Sequence, residues 1–214
     1  MKQNAKAMED FRRKNILDAG KAVFIEHGYV GASVDEIVRR AGGSKRTVYK
    51  YFGNKEALFA AIVGSMTEQM IAPLGPELLS KGSLQETLEE LGRTYLDVLL
   101  RPDYIVIFRI AVSEGVRFPA LAAALFDNGP GAAVAQLSRF LNEQAAAGIL
   151  QLDDARNAAR RYYGMIRSDL HMRAALGLTL PDKTQIHHEI KQVVRVFLRE
   201  HQVNGPVLED QNQQ

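Results

Sequence analysis

Residues 31–59 read GASVDEIVRRAGGSKRTVYKYFGNKEALF, and this stretch decides the fold. Ser33-Val34-Asp35-Glu36 has the spacing of a capping box, which predicts a short helix over about 34–41. Gly42-Gly43 interrupts it. Ser44 is a good N-cap residue and predicts a second short helix from Lys45 to Tyr51. Gly53-Asn54 interrupts again, and Asn54 can cap a longer helix running towards Met70. Two short helices joined by a tight glycine-containing turn make a helix-turn-helix. The second of them, KRTVYKY, presents three cations, a hydroxyl and two phenols, with Val48 as the one fully apolar residue. That composition suits burial poorly and the DNA major groove well. The groove admits one α-helix, whose N-terminal residues face base edges while neighbouring donors hold phosphates.

Helical spacing continues on both sides. Ile16, Ala19, Val23 and Phe24 mark one face of a helix over about 9–27, closed by Gly28, with His27 at the negative end of its dipole. Downstream, Pro73, Gly75, Pro76 and Gly82 form a connector. A second capping box, Ser83-Leu84-Gln85-Glu86, opens a helix with Leu84, Leu88, Leu91 and Tyr95 on one face, and Pro102 ends it. Tyr104 to Glu114 is apolar enough to be central. Pro119 to Phe126 and Ala132 to Ala147 are either two segments joined by Asn128-Gly129-Pro130-Gly131 or one kinked helix. Asp153 is expected to cap a helix to about Ala175, and Lys183 to His201 forms the last. Strand signals are nearly absent and no internal repeat is visible. The expectation is an all-α chain of about nine helices. It divides into a DNA-binding head over 1–56, a helical body over 57–203 and a frayed polar tail over 204–214.

The chain has 214 residues and no cysteine, which removes disulfides, thiolate metal sites and a cysteine nucleophile. The longest uncharged runs, Ala57 to Thr67 and Asn128 to Ser138, have 11 residues each. A membrane-spanning helix needs roughly 18. The N-terminal run MKQNAKAMEDFRRK lacks the apolar core of a secretory signal, so bacterial cytoplasm is the expected location. The net charge of +2 is unevenly spread: residues 1–60 carry +5 and residues 61–214 carry −3. A basic head suggests contact with a polyanion, although charge scatter alone can produce such a split. Catalytic patterns of the HExxH, GxSxG, Walker and GxGxxG types are absent from sensible contexts. His187 and His188 would point about 100° apart on a helix and cannot easily share a metal. Neither an enzyme nor a metal or cofactor site is expected.

The runs Gly31 to Ile37, Ala41 to Phe52 and Asn54 to Phe59 resemble the N-terminal domain of TetR/AcrR-type transcriptional regulators, with spacing intact. Gly43 departs from the family pattern, which usually has Val or another small apolar residue there. The resemblance implies an Ω-shaped, all-helical homodimer, mostly a repressor that leaves a palindromic operator when a small ligand binds. It places Lys45, Arg46, Thr47, Tyr49 and Lys50 on the recognition helix. It places Ser33 and Lys55 at helix N-termini that grip the DNA backbone. Physical reasoning agrees: a helix N-terminus holds anions, and Lys55 in a first helical turn conflicts with the dipole unless a phosphate lies nearby. Ser44 belongs with this group. Tyr51 is either core or a phosphate donor and Phe52 is core. Either Lys45 or Arg46 could read guanine.

Ile107 to Pro119 and Gly164 to Arg173 resemble the C-terminal domain of the AefR-like branch of that family. The resemblance implies a pocket among the fourth to eighth helices for a small hydrophobic or aromatic effector. Met66, Met70, Phe108, Phe126 and Met165 are candidate lining, with ordinary core packing as the alternative. Arg109, Arg167, Asp169 and His171 are polar groups on apolar helices. They could orient a ligand, form a buried ionic network or point to solvent. Apolar stripes on the last two helices include Tyr162, Ile166, Ile190, Val194 and Phe197, and they are the expected dimer interface, as a four-helix arrangement. The rival reading is a DNA-binding protein that senses no ligand.

Overall fold

The computed structural model describes residues 2–71 and 82–201, with side chains described for 6–68 and 82–201. The connector at Pro73, Gly75 and Pro76, the side chain of Met70 and the tail from Asn204 lie outside the described residues. Within them the chain is all-α. The head contains α1 (Lys2–Gly31), α2 (Val34–Ala41), α3 (Lys45–Phe52) and the start of α4 (Lys55–Ile71). The body contains α5 (Leu84–Leu99), α6 (Pro102–Glu114), α7 (Pro119–Phe126), α8 (Ala132–Ala146), α9 (Ala155–Arg167), α10 (Leu170–Leu176) and α11 (Lys183–His201). No described helix is long and apolar enough to cross a membrane. No described group of three His, Asp or Glu is placed to hold a metal.

The head follows its caps. Ser33 Oγ accepts from Glu36 N at 3.2 Å, Ser44 Oγ from Thr47 N at 3.2 Å, and Asn54 Oδ1 from Ala57 N at 2.7 Å. The expected capping box at Ser33 forms by half. The Glu36 carboxylate turns to Arg39 and Arg40 at 2.6–2.7 Å instead of reaching back to the cap. The box at Ser83 closes both ways, through Ser83 Oγ and Glu86 Oε2. α1 starts well before residue 9 and is broken at Gly28, whose φ of 65° is a left-handed conformation natural to glycine. Ile16, Val23, Phe24, Ile37, Val48, Leu58 and Phe59 are buried together. Each such side chain contributes about 1.5–3 kcal/mol relative to exposure.

α4 ties head to body. Leu58 and Phe59 sit in the head core, Val63 and Met66 are buried further along α4, and the helix packs against α5 and α7. In the body, α5 is wedged against α9 and α11. A Cβ on Gly92 would lie 3.0 Å from Ile166 and Ile190 and 3.1 Å from Tyr162 Oη, so any larger residue there must push these side chains aside by a few tenths of an ångström. The Tyr162 hydroxyl donates to the Leu88 carbonyl across the same contact. α7 and α8 are two helices joined by a π-helical turn, Asp127–Gly131, containing Pro130.

Two further boundaries differ from expectation. Asp154, one residue later than Asp153, caps α9, accepting from Arg156 N and Asn157 N. The helix expected to reach Ala175 breaks at Ser168. Ser168 has a φ of 43°, the one positive value among the described non-glycine residues.

Candidate nucleic-acid interface and an apolar cavity

Val48 and Phe52 anchor α3 in the head core, which turns the opposite face outward. Arg46, Tyr49 and Lys50 are exposed there. Arg46 has no partner among the described residues. Lys45 is exposed and pairs with Asp35 at 2.8 Å, so a phosphate or base must compete with that carboxylate. Ser44 and Thr47 hydroxyls lie 3.0 Å apart at the N-terminus of α3. Tyr51 is half-buried against the core, with Lys50 5.8 Å from its ring.

The basic residues of α2 are spent internally. Arg40 makes a two-pronged pair with Glu26 at 2.6 and 2.7 Å and also reaches Glu36. Hydrogen bonds from Arg39 and Arg40 hold the Glu36 carboxyl down at about 2. The free positive charge of the head therefore concentrates on α3 and on the exposed start of α1. Arg13 brings that end of α1 to α3, its guanidinium 5.6 Å from the Phe52 ring. Sequence spacing did not single out Arg13; its only trace was the charge count of the first 60 residues.

Lys55 has protein partners. Its Nζ donates to the Tyr29 carbonyl at 2.8 Å and the Ala32 carbonyl at 3.0 Å, and lies 4.4 Å from the Tyr29 ring. Burial lowers its pKa. These carbonyls answer the dipole conflict that suggested a phosphate, leaving at most one N–H for DNA.

The body holds a cavity of about 680 Å³, within the size range of pockets for small organic molecules. Phe108 and Phe126 line it, with Phe126 exposed. The other candidates lie elsewhere. Met66 is buried in the core around α4 and does not line the cavity. Met165 lines a separate 220 Å³ cavity between α9 and α11. Arg109 caps α10, donating to the carbonyls of Ala174 and Ala175 at 3.1 and 2.8 Å. Asp169 is exposed and lies 3.6 Å from Arg173. In their place the cavity draws on Tyr95 and Tyr104, and on Arg167 and His171, whose roles the sequence left open. Burial, with help from the positive charge of Arg167, pushes the His171 imidazole down to about 4. Its ring packs edge to face on Phe108 at 4.3 Å.

The residues expected at a dimer interface are buried within one protomer. Tyr162, Val194 and Phe197 are 0% exposed within one protomer, Ile190 2% and Ile166 3%. These residues pack inside the protomer, α9 against α8, α5 and α11, and α11 against α5 and α9.

Comparison with known proteins follows the same division. Residues 16–62 match the family model for bacterial regulatory proteins of the tetR family. Residues 86–203 match the model of the AefR-like transcriptional repressor, C-terminal domain. Among solved structures, a TetR-family transcriptional regulator from Mesorhizobium loti is 27% identical, superposes with a TM-score of 0.77 and is matched over 91% of this chain and 98% of its own. The flavonoid-responsive regulator FrrA is 33% identical with a TM-score of 0.72, over 91% and 98% of the two chains. The transcriptional activator FasR of Mycolicibacterium smegmatis is 27% identical over 128 residues, 55% of this chain and 58% of its own. The chain spans about half the length of the curated relatives it matches.

Proposed function

This chain belongs to the TetR family of bacterial regulatory proteins, and on that premise we propose that it is a cytoplasmic, ligand-released repressor that binds a palindromic operator as a homodimer. The observation that carries the reading is α3, which buries Val48 and Phe52 and turns Arg46, Tyr49 and Lys50 outward. Ser33, Ser44, Lys45, Thr47 and Tyr51 flank this face as further DNA contacts. Two such helices, one per protomer, must enter successive major grooves about 34–36 Å apart. The AefR-like repressor description of the C-terminal match supports repression as the sign of control.

The cavity supplies the switch. A ligand shifts the equilibrium between DNA-competent and DNA-incompetent forms only as far as it prefers one of them. α7 lines the cavity through Leu125 and Phe126, and the residue before its first turn, Phe118, touches Tyr29 at the end of α1. Displacing α7 therefore pushes on the head. A relative named for its response to flavonoids supports an aromatic effector.

In vitro selection of DNA by the purified full chain tests the DNA reading. The expected product is a palindrome with half-sites about one helical turn apart. An asymmetric site, or none, would overturn it. Band shifts on the selected DNA with aromatic compounds then test release.

A further inference from the structure

The cavity has a charge as well as a size. Four aromatic rings form its walls: Tyr95 from α5, Tyr104 and Phe108 from α6, and Phe126 from α7. No carboxylate side chain lines it. Arg167, in the last turn of α9, does, and no carboxylate pairs with it among the described residues. The other titratable nitrogen group on the wall, His171, stays neutral at ordinary pH. Its Nε2 is buried with no hydrogen-bond partner among the described residues. A buried polar atom left without a partner costs free energy, which a bound molecule can recover. The cavity is thus apolar and aromatic, with one positive charge and an unsatisfied polar atom. A neutral hydrocarbon would leave both unanswered.

We infer that the cavity binds an aromatic organic acid, with its rings among Tyr95, Tyr104, Phe108 and Phe126 and its ionised group on the Arg167 guanidinium. Arg167 then acts as the specificity-determining residue. Its planar fork suits a carboxylate, and its exposed position at the cavity's edge lets it meet the ionised group of a ligand whose rings lie inside. The rings offer edge-to-face and stacked contacts to a flat ligand. This inference rests on the reading of the cavity as the effector site.

The test uses the full chain and three probes: 9-anthroate, its neutral counterpart 9-anthracenemethanol, and the aliphatic acid tetradecanoate. Fluorescence titration gives affinities for the two anthracenes, and calorimetry for tetradecanoate. A charged hydrogen-bonded contact predicts that anthroate binds at least about tenfold tighter than the alcohol. Arg167→Gln should remove that preference and leave the alcohol's affinity unchanged. Equal binding of acid and alcohol by the unaltered protein would overturn the proposal, as would a preference that survives Arg167→Gln. Tetradecanoate binding tighter than anthroate would overturn the aromatic assignment, and absence of binding by the folded protein would overturn the whole. Band shifts separate this from the functional reading. Arg167-dependent anthroate binding that leaves DNA affinity unchanged supports the ligand class and counts against ligand-driven release.

Discussion

Tyr29 and Phe118 meet edge to face, with ring centroids 5.1 Å apart and planes at 61°. Tyr29 ends the first helix of the head, and Phe118 precedes the helix that lines the body's cavity. Lys21 and Asp103 make a second tie, at 3.1 Å, between α1 and the start of α6. The two contacts join the head and the body at named side chains.

Phe118→Ala should remove the ring contact, worth about 0.5–1.5 kcal/mol. It should leave operator affinity without ligand close to that of the unaltered protein and reduce the loss of affinity on adding an effector. Band-shift titrations with and without compound measure both. An undiminished ligand response would exclude this contact as a route of coupling.

Arg46→Ala should weaken operator binding by about 1–3 kcal/mol. Its side chain is exposed and unpartnered, so the melting temperature should not change. Arg40→Ala should behave in the opposite way, lowering the melting temperature because it cuts the α2 link to Glu26 and leaving the base preference intact. Melting curves and band shifts on the two variants separate the roles.

Lys55→Met should cost about 1 kcal/mol of stability by stripping a charged donor from two carbonyls. The slope of log affinity against log salt should change by less than the roughly one unit expected of a phosphate contact. A full unit of change would show that Lys55 reaches DNA in the complex.

His171 has its pKa held near 4, against 6.5 for the ordinary side chain. The unfolded chain therefore binds more protons between those values, and the folded state loses stability as pH falls from about 6.5 to about 4. Arg167, Tyr95 and Tyr104 are the charged and titratable groups facing it, and the two phenols stay neutral through this range. His171→Leu should flatten the acid limb of a plot of stability against pH, measured by urea unfolding. An unaltered limb would place the acid sensitivity elsewhere.

Phe197→Ala should cost about 3–5 kcal/mol, as for other buried aromatic residues, because its ring is fully enclosed within the protomer. Where the variant still folds, light scattering should report the oligomeric state of the unaltered protein. Loss of association without loss of stability would return Phe197 to the interface.

The head was legible because its signals are local. Ser33, Ser44 and Asn54 each announce a helix start within three residues, and Gly28, Gly42 and Gly53 announce the breaks. The fate of Lys55 was not legible, since its partners lie 23 and 26 residues away. Spacing showed that α9 and α11 have apolar faces, but not that α5 and α8 would pack on them within the protomer. The close approach of α5 at Gly92 is a tertiary contact that spacing does not reveal. The break at Ser168 has no glycine or proline at its centre to advertise it. Among cavity residues, Phe108 and Phe126 were readable as large apolar groups on the right helices. Tyr95 was assigned to a packing stripe, and Met66, chosen for its adaptable side chain, proved to be core.

The narrow clearance at Gly92 separates what must be kept from what can drift. The junction of α5, α9 and α11 has little room for an extra carbon at Gly92, whereas α6, α7 and α10, which supply most of the cavity wall, run outside it. Substitutions on those three helices can reshape most of the cavity wall without entering the joint between α5, α9 and α11.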